Sequence, residues 1–175
     1  KTGKHVFVEK PICLTLNELQ QIEKEYSPAL SLMVGYNRRF SPLSQEIKKI
    51  FKNGPVAMTY RINAGYIPTD SWIQDKEIGG GRILGEVCHF VDYLTFINGS
   101  LPVSVYAAAM NQPSELDDVL NVSLTYQNGS VGNISYFANG SKSLPKEHVE
   151  VYGHGSTAVL DDYKKVAVYG SGKPV

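Results

Sequence analysis

The sequence predicts an α+β fold: an open, mostly antiparallel β-sheet with helices on one face, entered from a short α/β stretch. Three observations predict it. Apolar residues recur at helical spacing only in the first third of the chain and again over roughly residues 82–98. Beyond that the pattern has period two, in runs of about 102–110, 118–127, 130–138, 147–153, 156–160 and 165–169. Asn128-Gly129, and the turn from Gly153 to Gly155, join neighbouring runs too tightly for a crossover, so those strands pair antiparallel.

The elements follow in order. His5-Val6-Phe7-Val8 reads as a strand, and Lys1 to Glu9 as the end of a helix-to-strand passage that began earlier, because a parallel strand needs neighbours. Thr15 and Glu18 form a capping box for a helix whose apolar stripe is Leu16, Leu19 and Ile22. Ser31 to Tyr36 is a short buried strand. Pro42 opens a second helix, with Leu43, Ile47, Ile50 and Phe51 on one face and Asn53-Gly54 ending it. Val56 to Tyr66 alternates as a long strand, and Ile67 to Ile78 is a polar loop carrying the only tryptophan, Trp72. Gly79-Gly80-Gly81 leads into the 82–98 helix, which Asn98-Gly99 stops. Tyr60, Tyr106, Tyr126 and Tyr136, at alternate strand positions, predict that the helix-free face is covered by another subunit, as a homo-oligomer.

Composition narrows the classes. At 175 residues, 42% hydrophobic and 19% charged, the chain suits a globular core and is too apolar for disorder. Zero formal net charge with scattered Lys and Arg argues against nucleic acid, and no apolar run reaches membrane-spanning length. Cys13 and Cys88 lack metal-type spacing, and reduced thiols point to the cytoplasm. His5, His148 and His154 fall in separate strands or turns, so no metal site is expected. Asn-x-Ser triplets at Asn98, Asn121, Asn128, Asn133 and Asn139 read as turn chemistry.

Three clusters can carry chemistry. Glu9-Lys10-Pro11 ends the first strand, where open α/β sheets bind ligands, and a lysine there can donate to a substrate oxygen; it is also compatible with an ordinary strand-ending charge. Glu86, His89 and Asp92 stand at i, i+3 spacing on the long helix, with Ile83, Leu84, Val87, Val91 and Leu94 assigned to its buried side. A histidine between two carboxylates keeps a defined tautomer and can act near neutral pH, whereas a solvent-facing polar ridge needs no such role. Gly35-Tyr36-Asn37-Arg38-Arg39-Phe40-Ser41-Pro42 puts two arginines at a strand end, equally suited to phosphate or carboxylate groups and to structural ion pairs.

Taken in order, Glu9-Lys10-Pro11, the Gly35–Pro42 stretch, the triple glycine and the helix with Cys88-His89 and Asp92 resemble the glucose–fructose oxidoreductase, inositol dehydrogenase and rhizopine-catabolism family of NAD(P)-dependent oxidoreductases. Val151 to Leu160 is similar to that family's closing strands, so the resemblance covers nearly the whole chain. It implies that residues 1–30 are a remnant of a truncated Rossmann domain. Residues 31–175 would then be a C-terminal, glyceraldehyde-phosphate-dehydrogenase-like domain for substrate binding and assembly into a dimer or tetramer.

The resemblance implies catalytic roles for Lys10 and His89, with Glu86 beside them. It places Glu9, Lys10, Pro11, Asn37 and Arg38 near the cofactor, and Tyr66, Trp72, Arg82 and Asp92 at a sugar or polyol substrate. Most members carry an aspartate where Gly85 stands, and Glu86 points about 100° further round a regular helix. No Gly-x-Gly-x-x-Gly turn occurs in the sequence, so NAD or NADP is expected in the full-length protein and none on this fragment, which alone is expected to be inactive. The competing reading is a non-catalytic sugar-binding or oligomerisation module.

Overall fold

The computed structural model describes residues 3–68, 70–75, 78, 81–111 and 118–170; Gly79 and Gly80 of the glycine run lie outside them. The chain opens with β1 (Val6–Val8), α1 (Leu16–Glu25) and β2 (Leu32–Val34). The two strands pair in parallel, Val6 opposite Leu32 and Val8 opposite Val34. The capping box is present: Thr15 Oγ1 accepts from Glu18 N at 3.2 Å, and the Glu18 carboxylate accepts from Thr15 N at 2.9 Å. Yet no residue of α1 is buried, and Phe7 on β1 is 62% exposed. Parallel strands normally have both faces covered, so this small unit presents apolar surface that larger α/β sheets bury.

A single 3₁₀ turn, Asn37–Phe40, leads into α2 (Pro42–Ile50), where proline supplies the preset φ of a first helical residue. Then come β3 (Ala57–Asn63), α3 (Cys88–Asn98), β4 (Pro102–Ala109), β5 (Val119–Tyr126), β6 (Val131–Phe137), β7 (Glu147–Gly153), β8 (Ser156–Asp161) and β9 (Lys165–Gly170). They build one open sheet in the order β4-β5-β6-β3-β7-β8-β9. β3 lies parallel to β6 and antiparallel to β7, and every other pairing is antiparallel. Gly99 ends α3 at φ +70°, its N–H donating to Thr95 O at 2.9 Å, as the Asn98-Gly99 signal predicts.

The core lies between α3, α2 and one face of this sheet. Phe90, Leu94 and Ile97 from α3 and Ile47 and Phe51 from α2 join Met58, Ile62, Ile134 and Val149 in one buried cluster. The helix comes close: a Cβ on Gly132 of β6 would meet Leu94 Cδ1 at 2.9 Å. Tyr60 sets its ring edge-on to Phe90 at 4.9 Å and to Tyr93 at 5.4 Å.

Two expectations are corrected here. Tyr60, Tyr126 and Tyr136 are buried in the core, and only Tyr106 of the four is exposed. The helix-free face instead carries Thr59, Asn121, Ser123, Thr125 and Asn133, with cross-strand bonds such as Ser123 Oγ to Asn133 Oδ1 at 2.7 Å. Three of the four residues offered as the reason for a covered face therefore sit on the opposite one, where large rings fill volume beneath the helices, and Tyr106, opposite Ser123, stays on the helix-free face. Second, residues Ile83–Val87 form a π-helical turn before α3. Its i→i+5 spacing breaks the regular phase, so Ile83 and Leu84 are exposed while Val87, Phe90, Leu94 and Ile97 form the buried stripe.

Candidate active site

The π turn is also where the two halves of the site meet. Lys10, just past β1, donates from Nζ to the Gly85 carbonyl at 2.7 Å across 75 residues of sequence. The Lys10–Pro11 peptide is cis. Irregular helical turns of this type recur at functional sites because they present backbone groups that a regular helix keeps to itself. Around this contact opens a pocket of about 550 Å³, lined on one side by Lys10, Pro11 and Cys13 and on the other by Gly85, Glu86, His89 and Lys146. Arg38, Trp72 and Ile78 complete its wall. That volume accommodates a sugar-sized ligand.

His89 is 7% exposed, with its ring near those of Tyr36 and Phe90. Its Nδ1 is buried and has no hydrogen-bond partner among the described residues. Burial, then the positive charges of Arg38 and Lys10, push its pKa down to about 4, so at neutral pH the ring is uncharged and able to accept a proton. The expected carboxylate flanks are engaged elsewhere. Glu86 accepts from Arg82 Nε at 3.0 Å and from Lys146 Nζ at 3.3 Å, and those two cations hold its carboxyl below the usual range against the opposing effect of burial. Asp92 takes both donors of Arg39, with Nε at 3.0 Å. The three groups therefore form no shared ridge: the neutral histidine stands between two separately paired carboxylates.

Arg38 is held as a wall residue. Its guanidinium grips Glu147 with both ends, at 2.9 Å from Nε and 2.6 Å from Nη2, and lies 4.9 Å over the Phe90 ring. Tyr60 Oη also donates to Glu147 and sits 3.0 Å from Tyr163 Oη. Arg82 is buried, donating to the Gly65 carbonyl at 2.6 Å and the Ala64 carbonyl at 3.2 Å, with its guanidinium over the Tyr136 ring.

Of the residues singled out from sequence, Lys10, Pro11, Arg38, Trp72, Glu86 and His89 line one pocket. Glu9, Asn37, Tyr66, Arg82 and Asp92 are not part of its lining. Glu9 is exposed beside Gly35, whose missing side chain leaves room for its carboxylate, and Asn37 and Tyr66 are exposed. Sequence reasoning missed Lys146 and Glu147. Lys146 ends the β6–β7 connection and Glu147 begins β7, and only the β3–β7 pairing brings them under the long helix. Among the described residues no group of three His, Cys, Asp or Glu side chains is placed to share a metal ion, and no helix is long and apolar enough to cross a membrane.

A lysine and an uncharged histidine thus converge on one sugar-sized pocket of an α+β scaffold. Residues 52–159 match the model for the GFO/IDH/MocA C-terminal domain, and the chain belongs to that family of oxidoreductases. It is 30% identical to the uncharacterized oxidoreductase YrbE of Bacillus subtilis, over 94% of this chain and 50% of that protein. It is 24% identical to the myo-inositol 2-dehydrogenase of Thermotoga maritima, over 96% of this chain and 52% of that one. The chain thus spans about half the length of the curated relatives it matches. In fold it resembles the WlbA dehydrogenase from Bordetella pertussis, crystallised with NADH and UDP-GlcNAcA, with a TM-score of 0.81 at 20% identity over 98% of this chain and 56% of that one.

Proposed function

We propose that the chain is the C-terminal part of an NAD(P)-dependent dehydrogenase acting on a sugar, a cyclic polyol or a related hydroxyl or carbonyl compound. Residues 1–30 would close a dinucleotide-binding domain, and residues 31–175 would bind substrate. The observation that carries this reading is the convergence of Lys10 and uncharged His89 on one pocket. The exposed apolar faces of the two-stranded parallel sheet support the assignment of the first segment.

The residues present fit one edge of such a cofactor. His89 Nδ1 is a buried polar atom without a partner among the described residues, on a ring that lines the pocket with Lys10 and Pro11, where the reacting groups would meet. Glu9, Lys10, Pro11 and Asn37 would flank the nicotinamide end, with Arg38 contributing to the wall through its Glu147 pair. The chemistry a nicotinamide supplies is acceptance of a hydride from the substrate carbon. His89 takes the hydroxyl proton as the carbonyl forms, and the Lys10 ammonium donates a hydrogen bond to the same oxygen. Glu86, clamped by Arg82 and Lys146, keeps a negative charge close to the imidazole.

The test is a substrate panel on the full-length protein, following reduced nicotinamide by absorbance. Turnover of at least one polyol or sugar with NAD or NADP is expected; inactivity throughout, with sugar binding intact, would favour a binding module. A homo-oligomer joined through the polar helix-free face belongs to the same proposal, and a strict monomer by light scattering at micromolar concentration would remove it.

A further inference from the structure

β4 ends the main sheet, paired with β5 on one side only. Every residue of Pro102–Ala109 is exposed. Val105, Ala107 and Ala109 lie opposite Leu124, Val122 and Leu120 of β5, which are buried on the core side, yet Val105 is 67% exposed. Tyr106 points the other way, opposite Ser123, and is 72% exposed.

The backbone of this edge is open in a defined pattern. In an antiparallel ladder, residues whose N–H and C=O face the neighbouring strand alternate with residues whose groups face away. Met110 N donates to Val119 O at 2.8 Å, continuing the register in which Ala109 stands opposite Leu120. Ser104, Tyr106 and Ala108 therefore face β5, and Val105, Ala107 and Ala109 direct their N–H and C=O groups out of the sheet. Such a row is a template for another strand.

Sheet edges are usually blunted by charge, proline, a bulge or a cover. β9, at the other edge, begins at Lys165 directly after Lys164, and its Val166, Ala167 and Val168 are partly or fully buried. On β4 the proline and the bulge, at Pro102 to Ser104, both fall at the start of the strand. No charged residue occurs between Asp92 and Glu115. From Ser104 onward the edge is thus regular, uncharged and apolar on its core side.

We propose that this edge joins two copies of the chain: β4 of a second copy adds antiparallel to β4 across a two-fold axis at Ala107, making one continuous sheet from two. A two-fold axis demands a surface that complements itself, and outward-facing residues must meet outward-facing residues. Centred on Ala107, Val105 stands opposite the partner's Ala109 and Tyr106 opposite the partner's Ala108, so each large side chain meets a small one. The paired stretch runs from Ser104 to Met110, the regular part of the edge. Centring on Val105 would draw in the bulge and Pro102, and centring on Ala109 would run past the end of the strand. With no charge on the strand, no like charges oppose each other across the axis. This contact is separate from the one through the helix-free face and does not depend on the dehydrogenase reading.

The experiment has two arms, both on the full-length protein. In the first, sedimentation velocity is run over a range of concentrations on the unsubstituted protein and on Ala107→Lys, an exposed position whose substitution sets two ammonium groups facing each other at the axis. Self-association weakened at least about tenfold, with an unchanged circular dichroism spectrum, is expected. A strict monomer overturns the proposal. An oligomer that survives Ala107→Lys is held elsewhere, which overturns this edge and leaves the helix-free face as the contact. In the second, single cysteine variants are oxidised with glutathione disulfide and compared with the unsubstituted protein by non-reducing electrophoresis. Residues paired across the ladder lie about 5.5 Å apart between Cα atoms, within reach of a disulfide. Ala107→Cys should couple to itself, whereas Val105→Cys and Ala109→Cys should couple only when mixed. Self-coupling of Val105→Cys equal to that of Ala107→Cys, or no coupling at any of the three, refutes the register and the proposal with it.

Discussion

Replacing Glu147 by alanine tests the structural account where its components are most tightly coupled. The carboxylate accepts both ends of Arg38 and the Tyr60 hydroxyl, and the side chains of the ion pair are 15% and 9% exposed for Arg38 and Glu147. Its loss leaves a guanidinium facing Phe90 with no counter-charge, and Tyr60 and Tyr163 with only each other. Breaking one side of a buried pair costs about 3–5 kcal/mol, because the remaining charge is left desolvated and unpaired. For a chain of this size each kcal/mol lowers Tm by roughly 2–4 °C, so a fall of about 6–20 °C is expected by calorimetry, with a matching loss in urea unfolding. Glu147→Leu combined with Arg38→Met should recover most of it, since the charge that needed a partner is gone. A loss below about 1 kcal/mol for Glu147→Ala would give the pair the value of a surface contact and refute the reasoning.

Other consequences follow from the same geometry. Because His89 titrates at about 4 rather than the ordinary 6.5, the acidic limb of kcat/KM in the full-length protein should lie near 4, and a limb at the ordinary value would contradict the buried, cation-flanked ring. Its stability effect has a defined sign: the unfolded chain takes up a proton below 6.5 that the folded chain refuses until about 4, so stability is intact above that window and is lost as pH falls through it. The contribution is at most about 3 kcal/mol, and His89→Gln should flatten that part of the stability–pH curve. The 175-residue chain itself should bind neither NAD nor NADP, because it lacks the glycine turn that cradles a pyrophosphate; calorimetric binding at micromolar concentration would contradict this.

Local chemistry was readable where it acts over a few residues. The Thr15–Glu18 box, Pro42 at a helix start, the Gly99 stop and the Asn128-Gly129 hairpin all act through neighbouring backbone groups, and each element ends close to where sequence places it. Alternation in β3, β5 and β6 divides each strand into two sets, and the tyrosine-bearing set turned inward because Thr, Ser and Asn satisfy themselves in water. The π turn was not legible: it depends on how residues Ile83–Val87 meet Lys10, which belongs to another part of the chain. Glu147 as the partner of Arg38 was hidden for the same reason, since the pair spans 109 residues and is fixed only by strand register. Lys10 and His89 were visible as residue types in context, but the loss of the predicted carboxylate flanks around His89 required Arg39 of the 3₁₀ turn and Arg82 just before the π turn to be placed.

The most direct measurement of the central claim is turnover of the full-length protein with His89→Ala, taken together with its Tm. As the group that accepts the substrate proton, His89 should be worth roughly a hundred- to ten-thousand-fold in turnover. Its ring contributes packing near Tyr36 and Phe90 but no hydrogen bond from Nδ1, so Tm should change far less than in Glu147→Ala. Lys10→Ala should be comparably severe in turnover. Turnover near wild type in His89→Ala, with any loss confined to Tm, would make the histidine a core residue and contradict the proposed site.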